Sequence, residues 1–127
     1  MIRERGGIDL ILLGIGRDGH IAFNMPSDEI QAYTHVEQLS QETISDNARF
    51  FEKLEDVPTQ AMTLGINNII SSKKVILIAS GQEKAEVIGK FLNNKSVTTR
   101  LPASFLWLHN NATIVLEKQA AQYLQGV

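Results

Sequence analysis

An acid and an imidazole stand two residues apart at Asp18-Gly19-His20, on a glycine-containing turn that follows an apolar run. A carboxylate beside an imidazole fixes the ring's tautomer and favours its protonated form, and a loop leaves such a ring free to face a cleft. That pairing suits a general acid/base. A structural reading of the same residues stays open, with Asp18 capping a turn and His20 serving as a surface or packing residue. A metal centre is not indicated. His35 and His109 are distant in sequence, and no second ligand stands three or four residues from His20.

The loop Gly14-Ile15-Gly16-Arg17-Asp18-Gly19 also fits G-x-G-x-x-G, the spacing of a dinucleotide-binding turn. That function requires a helix to begin at the turn and aim its N-terminus at the pyrophosphate. Pro26 follows Gly19 by seven residues and disfavours helical geometry in the residue before it. No full-length helix fits, and the acid/base reading takes precedence.

Such residues need elements to position them. Ile8-Asp9-Leu10-Ile11-Leu12-Leu13 is nearly continuous apolar and ends at Gly14 and Gly16, as a strand buried on both faces of a parallel sheet does. Ala32–Gln38 reads as a second strand, and Ser40–Lys53 as a loop followed by a helix capped near Ser45 or Asp46. Beyond Pro58, Ala61–Leu64 is a short strand or turn, and Ile66, Ile69 and Ile70 fall at helical spacing. Lys74–Ala79 is a second all-apolar strand, turned by Ser80-Gly81 into a helix over about Gln82–Leu92 whose Ala85, Ile88 and Leu92 face a core. Pro102 opens a short helix, Ala112–Leu116 is a final strand and Glu117–Leu124 a final helix. This order predicts an α/β three-layer fold with a mostly parallel sheet. Ligands of such sheets sit beyond the carboxyl ends of the strands, which directs attention to Gly14–Asn24 and Ser80–Lys84.

Composition narrows the function. With 127 residues, one domain is expected, and 43% apolar with 20% charged residues suits a globular chain. Twelve basic against fourteen acidic residues leave a net charge of −2, which argues against nucleic acid or an anionic membrane as partner. The absence of cysteine removes disulfides, thiolate metal sites and cysteine nucleophiles, and is compatible with a cytoplasmic setting. Met1–Gly7 lacks the apolar stretch of a signal peptide, and Ile8–Gly16 is too short to span a bilayer.

The full stretch Gly14-Ile-Gly-Arg-Asp-Gly-His-Ile-Ala-Phe-Asn24 resembles the signature loop of the glucosamine-6-phosphate deaminase/isomerase family, which includes galactosamine-6-phosphate isomerases. Ala48-Arg49-Phe50-Phe51, Val57-Pro58 with Ala61–Gly65, Ser80–Ala85, Leu101–Ser104 and Leu108-His109 resemble that family's blocks in the same order, so the likeness covers nearly the whole chain. It implies a Rossmann-like fold, a sugar-phosphate substrate, and aldose–ketose isomerisation of an amino sugar phosphate with loss of ammonia and no cofactor. By the same resemblance His20 is the acid/base that opens the pyranose ring, Asp18 orients and charges it, and Arg49 and Lys84 hold the substrate phosphate. Gly14, Gly16 and Gly19 shape the loop.

Two departures qualify that reading. Met25 stands where the family has a glutamate, and a thioether cannot move a proton, so ring opening is expected to be impaired unless Asp28 or Glu29 reaches in. The family's phosphate-cradling loop and the carboxylate that shuttles a proton between C1 and C2 lie in an N-terminal half, and nothing in Met1–Gly7 matches them. The chain is therefore expected to correspond to the C-terminal half alone, a domain incomplete relative to the family. Its bare sheet edge points to a homo-oligomer, and catalysis by this chain by itself is in doubt. Two alternatives remain. A 6-phosphogluconolactonase-like hydrolase shares the Gly-x-Gly-x-Asp-Gly-His loop and uses its histidine to activate water, although Ile21–Asn24 argues for the deaminase side. A non-catalytic sugar-phosphate-binding module would accommodate Met25.

Overall fold

The computed structural model describes residues 1–126. In chain order it contains β1 (Leu10–Leu13), β2 (His35–Gln38), α1 (Gln41–Asn47), β3 (Gln60–Thr63), α2 (Ile66–Ile70), β4 (Lys74–Ala79), α3 (Ala85–Asn93) and β5 (Ala112–Leu116). Short 3-10 turns join several of them, the longest being Pro102–Leu108.

The apolar runs form a parallel sheet of order β1-β4-β5. Ile11 lies opposite Val75, Leu13 opposite Leu77, and Leu77 opposite Ile114, so one face gathers alternate residues of all three strands. That face is the core: Ile11, Leu13, Val75, Leu77 and Ala79 pack against Ile66 and Ile69 of α2, Val87, Ile88 and Phe91 of α3, and Leu106. Of the helical stripe read from the sequence, Ala85 and Ile88 are buried and Leu92 is partly buried against the same core. Trp107 closes its edge, donating its indole N–H to the Phe91 carbonyl at 3.1 Å. Truncating Leu77 at the centre of this layer would cost roughly 2–5 kcal/mol.

The opposite face differs from the sequence expectation of strands buried on both sides. Leu10, Leu12, Ile78 and Val115 are exposed. The α/β architecture with its parallel sheet is present, and among the described residues one helical layer covers that sheet. The sequence order also concealed a second sheet: β2 and β3 pair antiparallel as a separate ribbon, with His35 opposite Thr63 and Gln38 opposite Gln60. Beside it Leu39, Ile44 and Val57 form a smaller core with Phe23, Met25, Ala48 and Ala61.

Two helical expectations need correction. The helix expected to be capped near Ser45 or Asp46 starts at Gln41, because the Ser40 hydroxyl accepts the Thr43 backbone N–H at 3.1 Å and supplies the cap one turn earlier. The helix expected over Glu117–Leu124 is a series of turns. Glu117 accepts the backbone N–H groups of Gln119 and Gly81 through its carboxylate, and of that stretch only Ala120 is fully buried, too little apolar contact to stabilise a short helix. The helix expected from Gln82 begins with a 3-10 turn, Gln82–Lys84, before α3. No helix among the described residues is long and apolar enough to cross a membrane.

Candidate active site

Because β1 and β4 are parallel neighbours, their carboxyl ends lie side by side, and the loops that leave them meet. The loop after β1 folds back on itself. The Gly19 N–H donates to the Gly16 carbonyl at 2.9 Å and the Gly16 N–H to the His20 carbonyl at 3.0 Å. A Cβ on Gly16 would lie 2.1 Å from the His20 ring, so only glycine lets the imidazole turn back over this strand end. Gly19 has a φ of +93°, and its missing Cβ would strike Leu101 Cδ1 at 2.3 Å. Ala103 N–H also bonds the Gly19 carbonyl at 3.0 Å, so the Leu101–Ser104 stretch braces the turn. Gly14 is different: a side chain there would meet nothing within 4 Å and its φ is ordinary, so neither packing nor backbone within this chain requires a glycine.

Within the turn, His20 Nδ1 lies 2.6 Å from Asp18 Oδ1, and the same oxygen accepts the His20 backbone N–H at 3.1 Å. Burial pulls the Asp18 carboxyl upward, but the hydrogen bonds from the His20 ring and backbone and the charge of the ring outweigh it, holding the group below its ordinary value of 3.8. Asp18 is thus an anion at neutral pH, and the proton between the pair belongs on Nδ1. In the neutral ring Nε2 is then the basic nitrogen, and the side chain is one-fifth exposed. The pair can accept a proton at Nε2 with the resulting imidazolium stabilised by a fixed carboxylate.

Lys84 is brought to this loop from the end of β4. Its Nζ donates to the Ile15 carbonyl at 2.8 Å, placing an ammonium one residue from Gly16. Arg49 is not brought into contact with the pair. It lies exposed on the 3-10 turn Ala48–Phe50 behind α1, its guanidinium carbon 4.8 Å from the centre of the Phe50 ring. The connection between the two regions is Arg17, which the sequence reading left without a role: it bonds Asp46 at 2.9 Å and Glu42 at 3.1 Å, both on α1. No spacing rule would have found it, because its partners are 25 and 29 residues away.

Asn24 was quoted only as part of the signature, yet it anchors the downstream side of the loop. Its Nδ2 donates to the Ile21 carbonyl at 3.1 Å and to the Leu64 carbonyl at 2.8 Å, while Phe23 N–H bonds Thr63 Oγ1 at 3.0 Å. Between them Ala22 has a φ of +50°, a left-handed conformation that alanine adopts only under constraint.

The idea that Asp28 or Glu29 replaces the glutamate absent at position 25 is not supported. Asp28 is paired with Arg100, and Glu29 is exposed at the chain's surface. Met25 itself packs into the smaller core, with Thr43 Oγ1 3.9 Å from its sulfur. Met25, Asp28 and Glu29, with Glu37, line a groove of about 430 Å³. A second cavity, about 230 Å³, lies at the other side of the fold between Phe91, Trp107 and Ile114. Among the described residues no three His, Asp or Glu side chains gather as a metal site.

This loop on this sheet defines a class, and comparison with known proteins gives the same one. The family described as glucosamine-6-phosphate isomerases/6-phosphogluconolactonase matches residues 2–115, and the chain belongs to it. A glucosamine-6-phosphate deaminase of Clostridium acetobutylicum is 47% identical over 123 residues, covering 97% of this chain and 51% of that protein; one of Clostridium novyi is 48% identical with the same coverage. A solved structure of a monomeric glucosamine-6-phosphate deaminase superposes with a TM-score of 0.91 at 41% identity, over 97% of this chain and 51% of that one. A 6-phosphogluconolactonase from Trypanosoma cruzi superposes less closely, with a TM-score of 0.68 and 25% identity over 94% of this chain. The chain spans about half the length of the relatives it matches.

Proposed function

We propose that this chain forms, as one domain, the acid/base side of an amino-sugar-phosphate isomerase/deaminase, acting on glucosamine-6-phosphate or galactosamine-6-phosphate to give a ketose phosphate and ammonia. The carrying observation is the Asp18–His20 contact of 2.6 Å in a loop at the carboxyl end of β1. His20 Nε2 takes the proton of the anomeric hydroxyl and delivers it to the ring oxygen as the pyranose opens, and the Asp18 carboxylate stabilises the imidazolium between the two transfers. Lys84, fixed on the Ile15 carbonyl, and Arg49 supply positive charge for the phosphate. No cofactor is needed for proton transfers of this kind. A cytoplasmic setting suits such a substrate.

The deaminase reading is favoured over the lactonase one by 47–48% identity to deaminases against 25% to the Trypanosoma cruzi lactonase. Ring opening is only the first step. Moving a proton from C2 to C1 needs a further base within hydrogen-bond reach, and among the described residues no carboxylate but Asp18 bonds to His20. The chain by itself is therefore expected to bind sugar phosphate weakly and to release ammonia negligibly. Titration with glucosamine-6-phosphate, followed by the His20 ring resonances, and an ammonia-release assay test this. Turnover of several per second by the chain alone, or no perturbation of His20 by the sugar phosphate, would sink the proposal.

A further inference from the structure

The turn that leaves His20 is built in a conformation its own residues do not favour. Asn24 N–H donates to the Ile21 carbonyl at 3.0 Å, closing a four-residue turn over Ile21–Asn24. Ala22, its second residue, has a φ of +50°, and no other non-glycine residue among the described ones has a positive φ. A turn whose first central residue alone has positive φ matches the II′ pattern, in which glycine is preferred there because a Cβ is strained. Something outside the turn must hold the alanine in place. Asn24 is 1% exposed, and only half of its amide is used. Nδ2 donates to the Ile21 and Leu64 carbonyls, whereas Oδ1 is buried without a hydrogen-bond partner among the described residues. A buried acceptor left unmet is costly, so the amide is placed for what its nitrogen joins.

Neither carbonyl needs that nitrogen for its own satisfaction. The Ile21 carbonyl also accepts the Asn24 backbone N–H, and the Leu64 carbonyl also accepts the Thr63 hydroxyl at 3.3 Å. What Nδ2 alone supplies is a joint between the turn and the end of β3, 40 residues further along the chain. The bond from Phe23 N–H to Thr63 Oγ1 is a second joint to the same strand. On its other side His20 is held through its carbonyl, which accepts the Gly16 N–H. We infer that Asn24 is a positioning residue for His20: by clamping the strained Ala22 turn to β3 it fixes the direction in which the chain leaves His20, and so keeps the imidazole Nδ1 on Asp18. The use of this geometry for proton transfer rests on the function proposed above. The positioning itself does not, and it can be read without substrate.

Ring-nitrogen NMR resonances of His20, assigned with His20→Gln, report its tautomer in mildly alkaline solution, where imidazoles are neutral. The native ring should be held as Nδ1–H. Asn24→Ala should lower the ratio of Nδ1–H to Nε2–H forms about tenfold, the worth of one charge-assisted hydrogen bond. Adding Ala22→Gly, which removes the strain that the clamp opposes, should restore most of that ratio. Thr63→Val deletes the other joint in the same volume; it should move the ratio the same way by less, and it carries the test if Asn24→Ala does not fold. Ser72→Ala, at a buried polar side chain away from the turn, should lower the thermal midpoint and leave the ratio alone. An unchanged ratio in folded Asn24→Ala, or in Thr63→Val where that variant carries the test, would overturn the inference. So would no recovery on adding Ala22→Gly, or an equal shift in Ser72→Ala. A chain that shows the expected tautomer changes but no response of His20 to glucosamine-6-phosphate would uphold the positioning and count against the proposed function.

Discussion

The Asp18–His20 loop and the Arg49 turn are proposed to serve one substrate, yet they are built in opposite ways. The first is over-determined: two backbone bonds curl it, Gly16 and Gly19 have no room for a side chain, Ala103 braces it and Asn24 ties its end to Leu64. The second is an exposed arginine lying over its neighbour's ring, connected to the loop through a single arginine on the surface. A group that must exchange protons needs fixed geometry, whereas a group that must attract a phosphate needs mainly charge and reach. The difference predicts rigid chemistry on one side and adaptable binding on the other.

The largest effect that would test this contrast is catalytic. His20→Ala should lower kcat for any ammonia release that this site supports by about 10²–10⁴-fold. Arg49→Ala should act mainly on KM, and a reversed pattern in steady-state kinetics would break the comparison. Next come the glycines. Gly19→Ala forces a side chain into a left-handed backbone and against Leu101, and should cost about 1–3 kcal/mol in urea unfolding. Arg49→Ala, at an exposed position, should stay within about 0.5 kcal/mol.

A smaller effect comes from acid. The folded-state pKa of Asp18 is lowered, so the unfolded chain binds more protons in the window between the two values, and stability rises with pH there. Its contribution is present above 3.8, is lost as the pH falls from 3.8 through the lower folded value, and is flat below that. Asp18→Asn should remove this limb from thermal midpoints measured across acid pH; an unchanged limb would assign it to other carboxylates. The smallest effect is expected of Arg17→Ala. Its ion pairs to Glu42 and Asp46 are about half exposed, worth at most about 1 kcal/mol and weakened by salt. A larger or salt-independent loss would show that the two regions are more tightly joined than their contacts indicate.

How much was legible follows the range of the contacts. The Asp18–His20 pair is local, two residues apart, and the turn that forms it is encoded by glycines on either side of Asp18. The strands β1, β4 and β5 were legible from their apolar runs, and the buried stripe of α3 from its period. The ribbon of β2 and β3 was not, because its partners are separated by α1 and the segment around Pro58, and nothing in either strand names the other. Asp28 illustrates the same limit: near Met25 in sequence, it is held by Arg100, 72 residues away.

The sequence by itself determined the spacing of the Asp18–His20 pair, the parallel strands that end beside it and the family to which they belong, because these depend on contacts within a few residues, on the period of a single element or on local motifs. Only the tertiary structure decided that Lys84 comes to the Ile15 carbonyl, that Arg17 holds α1, that Met25 turns into a core and that one face of the sheet is bare. An apolar run states that a strand is to be covered on both sides, but only the packing of the chain shows which side its own helices reach.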